Sequence, residues 1–190
     1  MNTLWSLPQQ VRLGQELFAF HTDFRDMLQI IELLQRPRIP LAFRWQVALR
    51  LFYKTPIPEP LQMEAMEYLA DFLNGGAAPE PGVPQLDWQQ DAEAIIADVN
   101  RVAGKELRLE KDVHWWTFLS FFHGIGEGQL SFLVGIRSKL RRGEKLLPHE
   151  QEYYRLHPGR VRLQTPLTAE EQAEKEQLWN MLGGKSWKKN

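Results

Sequence analysis

Between Val113 and Phe122 the chain is apolar on almost every side of a helix: Val113, Trp115, Trp116, Phe118, Leu119, Phe121 and Phe122. Only His114, Thr117 and Ser120 interrupt it, three residues apart along one edge. A helix that is apolar all round belongs at the centre of a core. At ten residues it is too short to cross a bilayer, which takes about 20. The rest of the chain must therefore supply a shell of elements with one apolar face each. With 190 residues it is long enough to do so, because a domain of this size buries roughly 70% of its unfolded surface.

The flanking sequence reads as such a shell. Val11-Arg12-Leu13 and Glu16 to Phe20, on either side of Gly14-Gln15, predict a small β-hairpin over about 10–20. Thr22 or Asp23 can cap a helix with the stripe Phe24, Met27, Leu28, Ile31 and Leu34, closed by Pro37. A second helix after Pro40 aligns Leu41, Trp45, Ala48, Leu49 and Phe52, and a third from about Pro58 buries Leu61, Ala65, Met66, Leu69, Phe72 and Leu73 before Asn74-Gly75-Gly76. Residues 75–86, rich in glycine and proline, predict an exposed loop. Asp87 is expected to open a fourth helix on the face Trp88, Ala92, Ile95, Ile96 and Val99. Further helices are expected over about 129–142 and 148–156, then an extended segment over 160–164. Thr168-Ala169-Glu170-Glu171 matches a capping box and predicts a charged C-terminal helix, with Lys185 to Asn190 disordered. The expectation is a mainly α protein. One helical domain over 1–160, of about six to eight helices with the short hairpin, precedes a charged segment at 161–190.

Composition narrows the chemistry. The absence of cysteine excludes disulfide scaffolds, zinc fingers, iron–sulfur clusters and thiol catalysis. No apolar run approaches the roughly 18 residues of a membrane span, and Met1 to Gln10 lacks the pattern of a signal peptide. A cytoplasmic protein is expected. The net charge of −1 conceals a division: residues 56–112 carry twelve acids against four bases, whereas 137–162 carry eight bases against three acids. Such segregation suits charge-guided docking, self-association or two ordinary solvated faces.

Reactive constellations are not evident. His114 and His123 lie nine residues apart, and His149 and His157 eight apart, so neither pair has ligand spacing on one helical face. Gly124, Gly126 and Gly128 follow a helix instead of a strand and read as a helix–helix turn, not a nucleotide loop. The pairs Asp23/Asp26 and Asp87/Asp91 sit where helix N-termini are expected, which accounts for them as caps. No enzymatic activity, metal or cofactor is expected. The basic cluster at 137–145 has the density that phosphate contacts need, but it lacks a nucleic-acid-binding motif. Arg137 also falls on the apolar stripe of its helix, which predicts partial burial against an acid.

A set of residues in order carries a family resemblance: Thr22-Asp23-Phe24-Arg25, Leu51-Phe52-Tyr53, Asp87-Trp88-x-x-Asp91-Ala92-x-x-Ile95, His114-Trp115-Trp116-x-Phe118 and Val134-Gly135-Ile136-Arg137. In that order they resemble the gene-product-15 family of long-tailed bacteriophages, over about residues 10–150. The loop 75–86 and the segment 160–190 depart from the family pattern. The resemblance implies a helical tail-assembly chaperone that binds the tape-measure protein and tail-tube subunits in the host cytoplasm. It implies structural roles for Asp23, Phe24, Arg25, Asp87, Trp88, Asp91, His114, Trp115, Trp116, Phe118, Gly135 and Arg137, with the aromatics as core bulk and His114 and Arg137 satisfying polar contacts. A helical protein with an apolar groove could also shield tape-measure helices by helix-in-groove packing. Leu178, Trp179, Met181, Leu182 and Trp187 are candidate partner contacts, although this segment could equally dock on its own domain or be disordered. The alternatives are a nucleic-acid-associated phage protein using 137–162, or a structural component kept in the virion.

Overall fold

A computed structural model describes residues 6–36, 38–76 and 85–163. The candidate partner residues Leu178, Trp179, Met181, Leu182 and Trp187, the capping box at 168–171 and most of the loop 75–86 lie outside the described residues. Two antiparallel strands, β1 (Gln10–Leu13) and β2 (Glu16–Ala19), precede eight helices. These are α1 (Phe24–Leu34), α2 (Leu41–Phe52), α3 (Gln62–Leu73), α4 (Ala92–Ala103), α5 (Trp115–His123), α6 (Gln129–Arg141), α7 (Pro148–Leu156) and α8 (Pro158–Val161). The mainly helical fold with an N-terminal hairpin is thus the one expected from periodicity.

Leu13, Phe18 and Phe20 of the hairpin segment are buried against the helices. Phe20 stacks on Phe52 at 4.6 Å and meets Phe72 edge-on at 5.0 Å. Aromatic pairs in these geometries add to simple area burial. Tyr53, at the end of α2, donates its hydroxyl to the Ala65 carbonyl on α3 at 3.1 Å. Burial pushes the Tyr53 hydroxyl pKa above its ordinary value, so it stays protonated as the donor this bond needs. The helix α5 buries one face instead of being enclosed all round as its composition predicts: Trp115 is fully buried and Phe118 stacks between Phe24 at 4.7 Å and Trp115 at 5.5 Å, whereas Trp116, Phe121 and Phe122 are half-buried and Ser120 and His123 exposed.

Three expectations are corrected. Asp87 does not open α4: it caps a separate turn, accepting the N–H groups of Gln89 (2.9 Å) and Gln90 (2.6 Å), and α4 starts only at Ala92. His114 is not part of the α5 barrel; it precedes the helix as its N-cap. The segment after His157 is not extended from Arg160 onward, because Pro158 at a helix start sets up the short α8. The carbonyls of Gly159, Arg160 and Arg162 then accept the Gln90 side-chain amide.

Candidate functional site

The family-motif residues gather into two polar nodes on one aromatic core. At the first, Asp23 caps α1 by accepting the Arg25 N–H at 2.9 Å. The Arg25 guanidinium returns to the same carboxylate at 2.8 Å and reaches the carbonyls of Leu107, Arg108 and Glu110. Phe24 N–H donates to the Val113 carbonyl at 2.9 Å, and Trp115 N–H donates to that of Thr22 at 2.6 Å. These exchanges set the start of α5 against the start of α1.

His114 occupies the junction. Its Nδ1 accepts the Trp116 N–H at 3.1 Å, and its Nε2 faces the Pro8 carbonyl at 2.9 Å. An accepting Nδ1 with a donating Nε2 defines a neutral tautomer. Burial holds the His114 pKa below its ordinary value, although the Pro8 carbonyl pulls the other way. The next two residues close α3: Trp115 Nε1 donates to the Leu73 carbonyl and Trp116 Nε1 to that of Phe72, both at 3.0 Å. Helix ends leave their last carbonyls without i+4 donors; here two consecutive indoles supply donors, and the Phe72 carbonyl also accepts the Gly75 N–H at 3.1 Å. Gly76 lies beneath the Trp116 ring at positive φ, in the left-handed conformation favoured by glycine.

The second node joins Asp91 to Arg137. Arg137 donates from Nη1 to Asp91 Oδ2 at 2.6 Å and from Nη2 to Oδ1 at 2.7 Å, with the two side chains 5% and 1% exposed. Its remaining N–H groups reach the carbonyls of Val161 (2.8 Å), Gln85 (2.9 Å) and Arg160 (2.6 Å). All five guanidinium donors are engaged. Asp91 Oδ2 also accepts the Asp87 N–H at 2.9 Å. The expected acidic partner of Arg137 is therefore Asp91, and the pair binds α4, α6 and α8 together. Trp88 packs on Phe122 at 5.0 Å and on Trp115 at 5.8 Å. Gly135 has nothing within 4 Å of where a Cβ would stand, so no contact on α6 requires a glycine there.

A buried acidic anchor escaped the sequence reading, as did the Gln90 amide. Asp98 on α4 is buried and accepts the Leu130 N–H at 2.8 Å, at the start of α6. A Cβ on Gly128 would come within 2.4 Å of this carboxylate, so the glycine is what lets the carboxylate approach. The signal available was an acid embedded in the stripe Ile95, Val99, facing a glycine-rich turn.

The basic segment 137–162 is largely neutralised by its surroundings. Lys139 pairs with Glu150 at 2.6 Å, and its hydrogen bond holds that carboxyl below the usual range. Arg142 pairs with Glu144, Arg155 with Glu152, and Arg160 with Glu93 of the acidic half. Charge separated in sequence is thus partly complementary in space.

An exposed apolar groove lies elsewhere, between α2 and α3. Leu41, Trp45 and Leu49 on α2 face Met66 on α3, and the groove continues past Gln46 and Gln62 to Arg50 and Ile57. Leu41 is 57% exposed, and Trp45, read from its periodicity as core, is half-buried in the wall of this groove. No carboxylate lines it. Among the described residues no three His, Asp or Glu side chains are placed to hold a metal ion. No helix among them is long and apolar enough to cross a membrane. Comparisons with protein-family models, curated proteins and solved structures found no match.

Proposed function

We propose that this protein is a non-enzymatic tail-assembly factor of a long-tailed bacteriophage. It binds an amphipathic helix of the tape-measure protein and acts in the host cytoplasm before assembly. The observation that carries this reading is the apolar groove along α2 and α3. Its long, open, Met- and Trp-lined form suits a helix laid lengthwise, with anchors at i, i+3, i+4 and i+7, and methionine adapts to varied partners. The motif that carries the phage resemblance supports it from the other side. Those residues cap helices and fill the core, which holds the groove walls in register and leaves the motif itself with a structural task.

Co-expression tests the reading. A tape-measure protein produced with this chain should stay soluble, and Leu41→Asp with Trp45→Asp in the groove should abolish the gain. An unchanged soluble fraction with the parent chain would sink the proposal. Virions purified from the same host should lack the protein, because an assembly factor leaves before completion.

A further inference from the structure

We infer that a second copy of this chain covers the outer face of α2 and α3, each copy laying its α2 over the α3 of the other. The pairing needs no tape-measure helix and goes beyond the docking role of the groove.

The face is apolar where a monomer would present polar groups to water. Nine of the twelve residues of α2 are apolar, yet only Ala48, Leu49 and Phe52 are buried. A helix apolar on nearly every side belongs in an interior, but Leu41 and Phe43 are 57% and 54% exposed. Across the groove on α3, Met63 is 65% exposed. Large apolar side chains gathered on one exposed face mark an interaction surface.

Charge selects the occupant. Residues 33–54 carry five bases and no acid, whereas 55–100 carry nine acids and no base. The change of sign falls between α2 and α3. On α2, Phe43, Gln46 and Arg50 follow one line at spacings of three and four, with Lys54 just past the helix. On α3, Met63, Glu67 and Asp71 follow a line at spacings of four. Arg50, Lys54, Glu67 and Asp71 are all exposed, and none of them joins an ion pair among the described residues. The groove thus has one basic rim and one acidic rim. A helix of a single charge sign would satisfy one rim and oppose the other. A second copy turned about a two-fold axis along the groove satisfies both, because base then meets acid twice. An axis across the helices would instead stack α2 on α2 and repeat like charges. The two helices have twelve residues each, about 18 Å, so neither overhangs the other.

Sedimentation equilibrium of the full chain should show a concentration-dependent dimer. Arg50→Glu with Lys54→Glu should weaken it by about tenfold or more, and Glu67→Lys with Asp71→Lys should do the same. Mixed in equal amounts, the two double variants should recover the parent affinity, since each then meets the opposite charge on both rims. Misfolding cannot imitate that recovery. A mixture that associates no better than either variant alone would overturn the inference, as would a dimer that neither double variant weakens. A chain that stays monomeric at about 100 μM would overturn it too and leave the face to a different partner. Because the dimer is read on the isolated protein, it can fail while the co-expression test succeeds, and the reverse.

Discussion

Arg137 on α6 and Asp91, the residue that precedes α4, face each other across a two-pronged ion pair, 46 residues apart in sequence and almost fully enclosed. A buried pair of this kind adds less than its Coulomb attraction suggests, because both ions lose water. Deleting one partner strands the other, at about 3–5 kcal/mol. Arg137→Met should therefore cost about that much in urea unfolding, and it should also release the Gln85, Arg160 and Val161 carbonyls. Asp91→Leu with Arg137→Met should lose less than the sum of the single variants. Strict additivity would show that the pair is not coupled.

The two tryptophans of the α5 motif should separate sharply. Trp115 is fully buried, whereas Trp116 is half-buried and stacks on Phe72 at 5.6 Å. Trp115→Ala should cost about 3–5 kcal/mol and Trp116→Ala clearly less, as read by thermal melts. Equal losses would place the core elsewhere.

Acidification should weaken the fold through His114. Its folded pKa lies below the ordinary 6.5, so the unfolded chain binds the extra proton first. The contribution is present in full above pH 6.5 and is lost as the pH falls from there toward the depressed folded value. His114→Asn keeps a capping side chain without titrating. Denaturation at pH 7.5, 6.5 and 5.5 (roughly a unit either side of the ordinary value) should show a shallower loss in the variant. Parallel slopes would exclude His114 as the group responsible.

Two glycines should respond in opposite senses. Gly128→Ala drives a methyl against the short, fixed Asp98 carboxylate and should destabilise by about 1–3 kcal/mol. Gly135→Ala meets nothing within 4 Å and, inside α6, should stabilise by about 0.5–1 kcal/mol. Calorimetry of both single variants decides it, and a destabilised Gly135→Ala would show a constraint on α6 that its surroundings do not display.

Much of this architecture was legible locally. The caps at Asp23 and the bounds of α7 follow from short-range patterns, because a cap or a stripe of apolar residues needs only its neighbours along the chain. The partner of Arg137 was foreseeable as an acid but not as Asp91, since a separation of 46 residues leaves no periodic trace. Asp98 and Gln90 were missed for the same reason: each satisfies main-chain groups of a distant helix, and a carbonyl or N–H is the same whatever the residue. The groove was hidden differently. Leu41 and Trp45 repeat at core spacing, and an apolar stripe does not say whether another element of the same chain covers it. Read as core, they are the uncovered wall of the candidate site.

The indole bonds from Trp115 and Trp116 to the end of α3 have a mechanical consequence. Helices ordinarily fray from their termini, where the last carbonyls are loosest. Here the Leu73 and Phe72 carbonyls accept indole N–H groups of Trp115 and Trp116 at the start of α5. Opening the last turn of α3 therefore also breaks two hydrogen bonds to α5, so the weak point usual for a helix is tied to a second element. The α3 wall of the groove, at Gln62 and Met66, is thereby continuous with a helix whose far end is bonded to α5.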